Sequence, residues 1–375
     1  MIVNERNYPP DVIDRTLRGI GTSPVISYRY DLLSSKGVKI GVIKDIESGS
    51  VSYNESRATK RTGTFTIVES GHDAKNINFL SDQLQPWFVL HMVEGGTVEW
   101  PLGIFLMEAP DRSVDRKVGR RVINAFDRAL ILEQWKTRNR VYFPAGTKYT
   151  DAIMQILSMA RMNNADIDPS DRVMEVDKEY PIGTSGQVSI NEMLAAINYG
   201  SLSVDAAGAA WAEAYSPPSQ RSPKIHYMAD KHSVIGPRFE ESMAIARIPN
   251  VFIGVADNAD GGMPLKSVFV NDNASSPVST INRGREIVDV RSVKDIYDQE
   301  SLDARVYRVA LESTAAYRTL KFSTLQNPYH GEGDTLYIHI PGLVDVPAKF
   351  AETAWEMELK AGAMMTHAAR MVVDL

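Results

Sequence analysis

Residues 46–69 read IESGSVSYNESRATKRTGTFTIVE. In the first arm Val51 and Tyr53 alternate with Ser50, Ser52 and Asn54. In the second, Phe65 and Ile67 alternate with Thr64 and Thr66. A period of two marks a strand with one buried face. The intervening 55–62 is polar and carries Arg57, Lys60 and Arg61. The stretch predicts a long hairpin with a basic tip, able to reach a neighbouring subunit. No catalytic constellation accompanies it, so it points to assembly rather than chemistry.

On its N-terminal side, 25–33 and 38–43 flank a Ser-Ser-Lys-Gly turn at 34–37, as in a hairpin with Gly in the loop. Beyond it, 87–93 turns through Glu94-Gly95-Gly96-Thr97 into 98–109, and 118–127 is a further strand. Strands at this spacing predict a sandwich or barrel. Residues 1–23, polar and carrying Pro9-Pro10, read as an N-terminal arm or short cap.

The period changes at Thr150. Ile153, Ile156, Leu157 and Ala160 recur at helical spacing after a residue that can cap. Ser189-Ile-Asn-Glu192 has the form of a capping box, and Ile190, Met193, Leu194 and Ile197 make one apolar stripe ending before Gly200. A compact hairpin follows, 202–204 and 209–215. From Asn250 strands return at 251–255, 267–271 and 285–290. Then 299–317 reads as an amphipathic helix with Leu302, Val306, Val309, Ala310 and Ser313 on one side. The last strands are 320–325, 335–340, 351–359 and 368–373.

The expected fold class is α+β, mainly β. The expected units are an N-terminal arm at 1–23, a β domain at 24–145, an inserted α+β domain at 146–235, a second β domain at 236–298 with strands returning from the C-terminal part, and a helix plus β segment at 299–375.

The chain has 375 residues and no cysteine, which removes disulfides, thiolate nucleophiles and thiolate metal ligands. No apolar run approaches the ~20 residues of a membrane helix, and the N-terminus lacks the apolar core of a secretory signal. We expect no membrane anchor and synthesis in the cytoplasm. The net charge of −6 divides into +4 over 1–150 and −10 over 151–375. That split suits either two solvated units or complementary faces of a stacked assembly.

Chemistry-bearing patterns are weak. None of the seven histidines, His72, His91, His226, His232, His330, His339 and His367, forms an i, i+4 pair. His226 and His232, with Asp230 between, more often are ordinary loop or strand histidines than ligands. Asp166, Asp168 and Asp171 miss calcium-loop spacing, and Asp257 and Asp260 before Gly261-Gly262 fit a turn better than an ion site. Ser185 lacks the flanks of a nucleophile elbow, and Gly331-Glu332-Gly333 reads as a turn before a strand. Glu240–Glu241 is the one carboxylate pair worth naming for glycan hydrolysis, against a solvated acidic run. Trp87, Trp100, Trp135, Trp211 and Trp355 default to core packing. The expectation is no catalytic residue, no cofactor and no metal.

In this order, SGSVSYN (48–54), RTGTFTI (61–67), VEWPLGIFLMEAPDRSVD (98–115) and NAFDRALIL (124–132) resemble tail-tip and baseplate hub proteins of tailed bacteriophages. So do FPAGTKYTDAIMQIL (143–157), SINEMLAAINYGSLSVDAAGAAWAEAY (189–215), RIPNVFIGVADNADG (247–261), VFVNDNASSPVSTINRGREIVDV (268–290), GEGDTLYIHI (331–340) and ETAWEMEL (352–359). The resemblance runs from about Val25 to Leu375 and rests on the order of the pieces.

It implies a homotrimeric ring in which each chain carries two tail-tube-like β-barrel or sandwich domains, with smaller α/β domains inserted or appended. It also implies a structural role joining the hexameric tube to the tip and lining the DNA ejection channel. The implied partners are further copies, the tail tube or distal tail protein, tip, spike or fibre proteins, the tape-measure protein and passing genomic DNA. Leu375 follows the last strand directly, so no peptidase, lysozyme or spike extension is expected on this chain. Arg57, Lys60 and Arg61 are the expected inter-subunit or inter-ring contacts, against a solvated tip. The alternatives are a tail-associated cell-wall hydrolase and a hexameric distal tail ring protein.

Overall fold

A computed structural model describes residues 2–69, 77–108, 111–115, 118–243, 246–256, 264–294, 296–315, 317–373 and 375. The fold is α+β and mainly β, and one 15-stranded sheet runs through most of it.

The chain opens with a 3-10 turn (Glu5–Asn7) and helix α1 (Pro10–Leu17). Pro10 sits in the first turn, where its missing N–H costs nothing. Ile13 and Leu17 are buried in the first core, and Val3 forms a β-bridge to Glu99. The N-terminal segment therefore covers its own chain rather than extending from it.

The first β unit comprises β1 (Val25–Leu33), β2 (Lys39–Val42), β3 (Ile46–Asn54), β4 (Arg61–Val68), β5 (Gln83–His91), β6 (Thr97–Pro101), β7 (Phe105–Met107), β8 (Asp111–Asp115) and β9 (Val118–Asp127). Alternate residues of β4, namely Arg61, Gly63, Phe65 and Ile67, point inward. The Phe65 ring meets Phe105 edge-on at 6.0 Å. A Cβ at Gly49 or Gly63 would lie 2.8 or 2.7 Å from that ring, so both strands need glycine where it passes.

An α+β unit follows: α2 (Ala129–Gln134), β10 (Val141–Phe143), α3 (Tyr149–Met159), β11 (Ala165–Ile167), β12 (Lys178–Tyr180), α4 (Gly186–Ala196), β13 (Ser203–Val204) and β14 (Ala210–Ala212). Ile153, Ile156 and Leu157 share one core with Ile190, Met193 and Leu194. That core also takes in Ala129, Leu132 and Phe143, so the α+β cluster begins just after β9. Ser189 does not cap α4. It lies inside the helix, fully buried, and its hydroxyl donates back to the Ser185 carbonyl at 3.1 Å. Trp135 ends α2 in extended conformation.

The second β unit starts with β15 (Ile225–Met228) and β16 (Ile235–Met243). The chain then leaves to build β17 (Val251–Ala256), β18 (Leu265–Val270), α5 (Thr280–Arg283), β19 (Val288–Val293) and α6 (Gln299–Ala315). It returns as β20 (Arg318–Leu325), β21 (Thr335–Ile340), β22 (Val344–Glu358) and β23 (Met364–Met371).

Segment 236–298 is thus shared between two sheets. β16 joins the large sheet, whereas β17–β19 form a separate three-stranded one. The apolar stripe of α6 explains the departure: Leu302, Val306, Val309 and Ala310 require a sheet to cover them and bury Phe252 and Ala256 of β17. Thr314 rather than Ser313 completes that buried face.

Both β units repeat one topology. In the first, the sheet runs β3-β4-β9, with β8 on the far side of β9; in the second it runs β16-β20-β23-β22. The inner pair in each (β4 with β9, β20 with β23) is antiparallel, and the last two strands in sequence form a hairpin, β8·β9 and β22·β23. The α5–α6 excursion occupies the β16–β20 connection, which in the first unit is the short 55–60 loop.

Candidate assembly site at the seam between the β units

The hairpin at 46–69 joins the two β units. β3 pairs with β4 on one side and with β22 on the other, in antiparallel register from Ala354↔Asn54 to Glu358↔Ser50. Tyr53 and Trp355, opposite one another in this register, stack with ring centroids 6.2 Å apart and planes 29° apart. Such cross-strand aromatic pairs are the main side-chain ties between strands.

Arg61 opens β4 directly opposite Tyr53. It is 3% exposed, donates to the Leu102 carbonyl at 3.1 Å, and lies 5.6 Å over the Trp355 ring. Its backbone N–H donates to Asp127 Oδ2 at 2.9 Å, while Asp127 Oδ1 accepts from Ala129 N–H at 2.8 Å. Burial lifts the Asp127 carboxyl to about 6 against these bonds. The guanidinium approaches Glu332 at 3.9 Å, and both are almost fully buried. Burial raises the Glu332 pKa, opposed by Arg61, Lys60 and Ser203.

Lys60 is held inside the protomer too. Its Nζ donates to Ser203 Oγ at 2.5 Å and to the Ser201 carbonyl at 3.3 Å. Gln187 donates to the Ala58 carbonyl at 2.6 Å, and Thr59 to Glu133 at 3.2 Å. The tip loop is therefore clamped onto the α+β unit. Burial lowers the Lys60 pKa, opposed by Glu332 and Glu55. Of the three basic residues expected at a contact surface, Arg57 alone is exposed, with one bond to Thr62 Oγ1 at 3.3 Å. Arg61 and Lys60 tie units of the same chain.

A second buried group lies in the core of the second β unit. His330 Nδ1 is 2.6 Å from Glu352 Oε2, and His367 Nδ1 is 2.7 Å from Glu352 Oε1. Beyond them, Tyr227 Oη is 2.6 Å from His330 Nε2 and Thr324 Oγ1 is 2.8 Å from His367 Nε2. With Glu352 ionised, both histidines donate through Nδ1 and Tyr227 donates to the free Nε2 of His330, while the one Thr324 hydroxyl hydrogen is shared between His367 Nε2 and the Leu325 carbonyl, each at 2.8 Å. Burial pushes His330 down to about 3 and Glu352 up to about 7.

These three are the one group of potential metal ligands among the described residues, their ligand atoms spread over as much as 4.8 Å. The four short contacts are those of a hydrogen-bonded chain. Sequence reasoning passed over this group because its members stand 22 and 15 residues apart on different elements. One signal was present: His367 falls in the inward alternation of Met365 and Ala369 in β23.

The remaining candidates do not converge. His226 is exposed against Tyr337, and Asp230 instead accepts from the His232 backbone N–H at 2.8 Å. Glu240 and Glu241 are neighbours on β16, facing opposite sides of the strand, and pair separately with Lys321 (3.7 Å) and Arg318. Asp171 pairs with Lys148. Ser185 precedes α4 and donates to the Leu132 carbonyl at 3.2 Å. Trp100 and Trp355 are buried, and Trp87 lies under the Arg29 guanidinium. His72, Asp257 and Asp260 lie outside the described residues.

No protein-family model matches the chain, and no curated protein matches it by sequence. Solved structures do match its fold nearly end to end. A tail protein from Neisseria meningitidis superposes with a TM-score of 0.63 at 10% identity, covering 93% of this chain and 97% of that one. The 43 kDa tail protein of prophage MuSo2 from Shewanella oneidensis gives 0.63 at 8% identity, covering 92% and 98%. The Escherichia coli c3393 protein is a type VI secretion component described as structurally similar to the T4 bacteriophage tail proteins gp27 and gp5. It gives 0.50 at 8% identity, covering 95% and 76%. The chain has the fold of phage tail proteins.

Proposed function

We propose that this protein is a structural, non-enzymatic hub of a phage tail tip or baseplate. Copies form a homotrimeric ring that joins the hexameric tail tube to the tip and lines the channel for DNA. The observation that carries this reading is the seam. One chain already sets two β units of the same topology side by side in one sheet, joined at β3 and β22. Three chains then offer six like units, the symmetry a hexameric tube needs beneath it. The full-length likeness in fold to tail proteins supports the same setting.

On this reading the ring contacts the tail tube or distal tail protein on one face and tip, spike or fibre proteins on the other. The tape-measure protein and genomic DNA pass through its centre. The finished protein sits in the virion, after synthesis in the host cytoplasm. Exposed Arg57 is the residue of the basic tip left to meet another subunit or ring. Separate pairing of Glu240 and Glu241 to β20 favours a structural part for the acids once considered for hydrolysis.

The test is reconstitution. Purified protein is added to tails assembled without their tip, and the products are imaged by negative stain. The proposal expects capping of the tube end by a three-fold ring. Protein that never adds to tails or to a tip partner, or that digests host cell wall on a zymogram, would count against it.

A further inference from the structure

Helix α6 packs on β17 and β18 and leaves most of β19 uncovered. In the parallel register Phe252↔Asp289, Gly254↔Arg291 and Ala256↔Val293, β19 turns Asp289 and Arg291 to the face that β17 packs against the helix. A cleft of about 220 Å³ remains between β19, α6 and α4. Its floor is apolar, with Phe252 and Gly254 of β17, Val306 and Val309 of α6, and Ala195 of α4 at the side. A Cβ at Gly254 would lie 2.4 Å from Val306, so glycine is what lets the helix sit this close.

The charges over this floor are unbalanced. Arg291 is committed to Asp289 at 2.8 Å. Arg305 and Lys294 also line the cleft, and neither makes a hydrogen bond or ion pair among the described residues. Arg305 is half-buried. Burial lowers its pKa, with Arg308 and Arg291 acting in the same sense. Glu312 opposes them but is itself bonded to Arg308 at 2.8 Å. Glu192, exposed on α4, is the one acid left among the lining residues. A half-buried guanidinium without a partner, beside an apolar floor, is a seat for an anion with an apolar body.

Beside the cleft, β19 is an open edge. It pairs only with β17 among the described residues, and Val288, Val290, Arg291 and Ser292 are exposed. An extended segment can pair with such an edge and drop alternate side chains to the face that holds the cleft. The volume is small against the roughly 300–1,000 Å³ of drug-sized ligand sites, so it suits the end of a chain. Leu375 of this chain packs on the same core but does not line the cleft. We propose that the cleft binds the C-terminal residue of a second, extended polypeptide. Its aliphatic side chain rests on Val306 and Val309, its carboxylate meets Arg305 and Lys294, and its preceding backbone pairs with β19. The site lies outside the large sheet and does not depend on the proposed ring.

The test is fluorescence anisotropy with the full chain and a fluorescein-labelled Gly-Ala-Val-Leu peptide bearing a free C-terminal carboxylate. The same peptide as its amide, and one ending in Gly, are titrated beside it. The free acid should bind saturably. The amide and the Gly-ended peptide should each bind roughly tenfold more weakly, the scale of a lost charged hydrogen bond or a lost buried side chain. Arg305→Gln should weaken the free acid to the level of the amide and leave the amide unchanged. Lys294→Ala, at an exposed position, should act in the same direction without a risk to folding. Circular dichroism checks both variants. Unlabelled acetyl-leucine should compete more weakly than the unlabelled tetrapeptide, because it cannot pair with β19. Three outcomes would overturn the proposal: no saturable binding of the free acid, equal binding of acid and amide, or free-acid binding unaltered in both variants. Acetyl-leucine competing as well as the tetrapeptide would overturn the strand pairing. None of these results bears on the number of copies in a ring, so the two readings fail separately.

Discussion

Tyr53 of β3 and Trp355 of β22 stack 6.2 Å apart across the only strand pairing that joins the two β units of the described sheet. Each side chain belongs to a different half of the chain, and both are buried in the first core, so Trp355 anchors β22 of the second β unit in the core of the first. Trp355 also donates its Nε1–H to the Gly331 carbonyl at 2.9 Å, fixing the turn that carries Glu332.

Trp355→Ala should therefore cost about 3–5 kcal/mol, the range for emptying a buried aromatic site. Urea denaturation followed by far-ultraviolet circular dichroism measures it. A loss below about 1 kcal/mol would mean the stack does not hold the seam.

The Arg61–Glu332 pair predicts an asymmetry. Arg61→Met leaves the Glu332 carboxylate buried without its nearest cation and should cost about 3–5 kcal/mol. Adding Glu332→Leu removes that lone charge and should recover most of the loss. A double-mutant cycle in urea reads the coupling. Additive losses would show that the two do not interact.

At the tip loop, Lys60 and Arg57 should separate. Lys60→Ala gives up the bonds to Ser203 and Ser201 and should cost about 1–2 kcal/mol. Arg57→Ser, at an exposed position, should change stability by less than about 0.5 kcal/mol and act on assembly instead. Melting temperature and ring formation, measured together, distinguish these effects. A destabilised but normally assembling Arg57→Ser would reverse the assignment.

Asp127 sets a pH dependence. Its carboxyl is lifted from 3.8 in the free residue to about 6 in the fold, mainly by burial. A raised folded-state value means folding favours the protonated form. Its contribution is full below about pH 4 and is lost as pH rises through about 6, a change on the order of 3 kcal/mol. Relative to Asp127→Asn, the wild type should gain that much between pH 7 and pH 4. A gap that stays constant, or widens toward pH 7, would contradict the burial argument.

The hairpin at 46–69 was legible because alternation is strict on both arms. The same alternation held the correction to its tip. Arg61 lies in phase with Gly63, Phe65 and Ile67, all on the inward face, yet its charge made it read as a surface residue. The helical stripes of α3, α4 and α6 were also legible from period alone. The box at Ser189 misled, because a serine three residues before a glutamate serves equally inside a helix when its hydroxyl bonds back one turn.

What sequence could not reach is set by sheet pairing. His330, Glu352 and His367 meet only because β22 and β23 form a hairpin beside the 326–334 connection. Glu332, between two glycines, reads as a turn until β22 packs against β3. The equivalence of β8 with β22, and of β16 with β3, is likewise topological and follows only from the order of strands in the sheet.

The central claim, a closed ring of three copies, is tested most directly by native mass spectrometry of the purified chain across a concentration series. One chain weighs 41.6 kDa. The account predicts a dominant species of three copies that persists on dilution. A chain that remains a monomer throughout, or a ring of six copies, would contradict it.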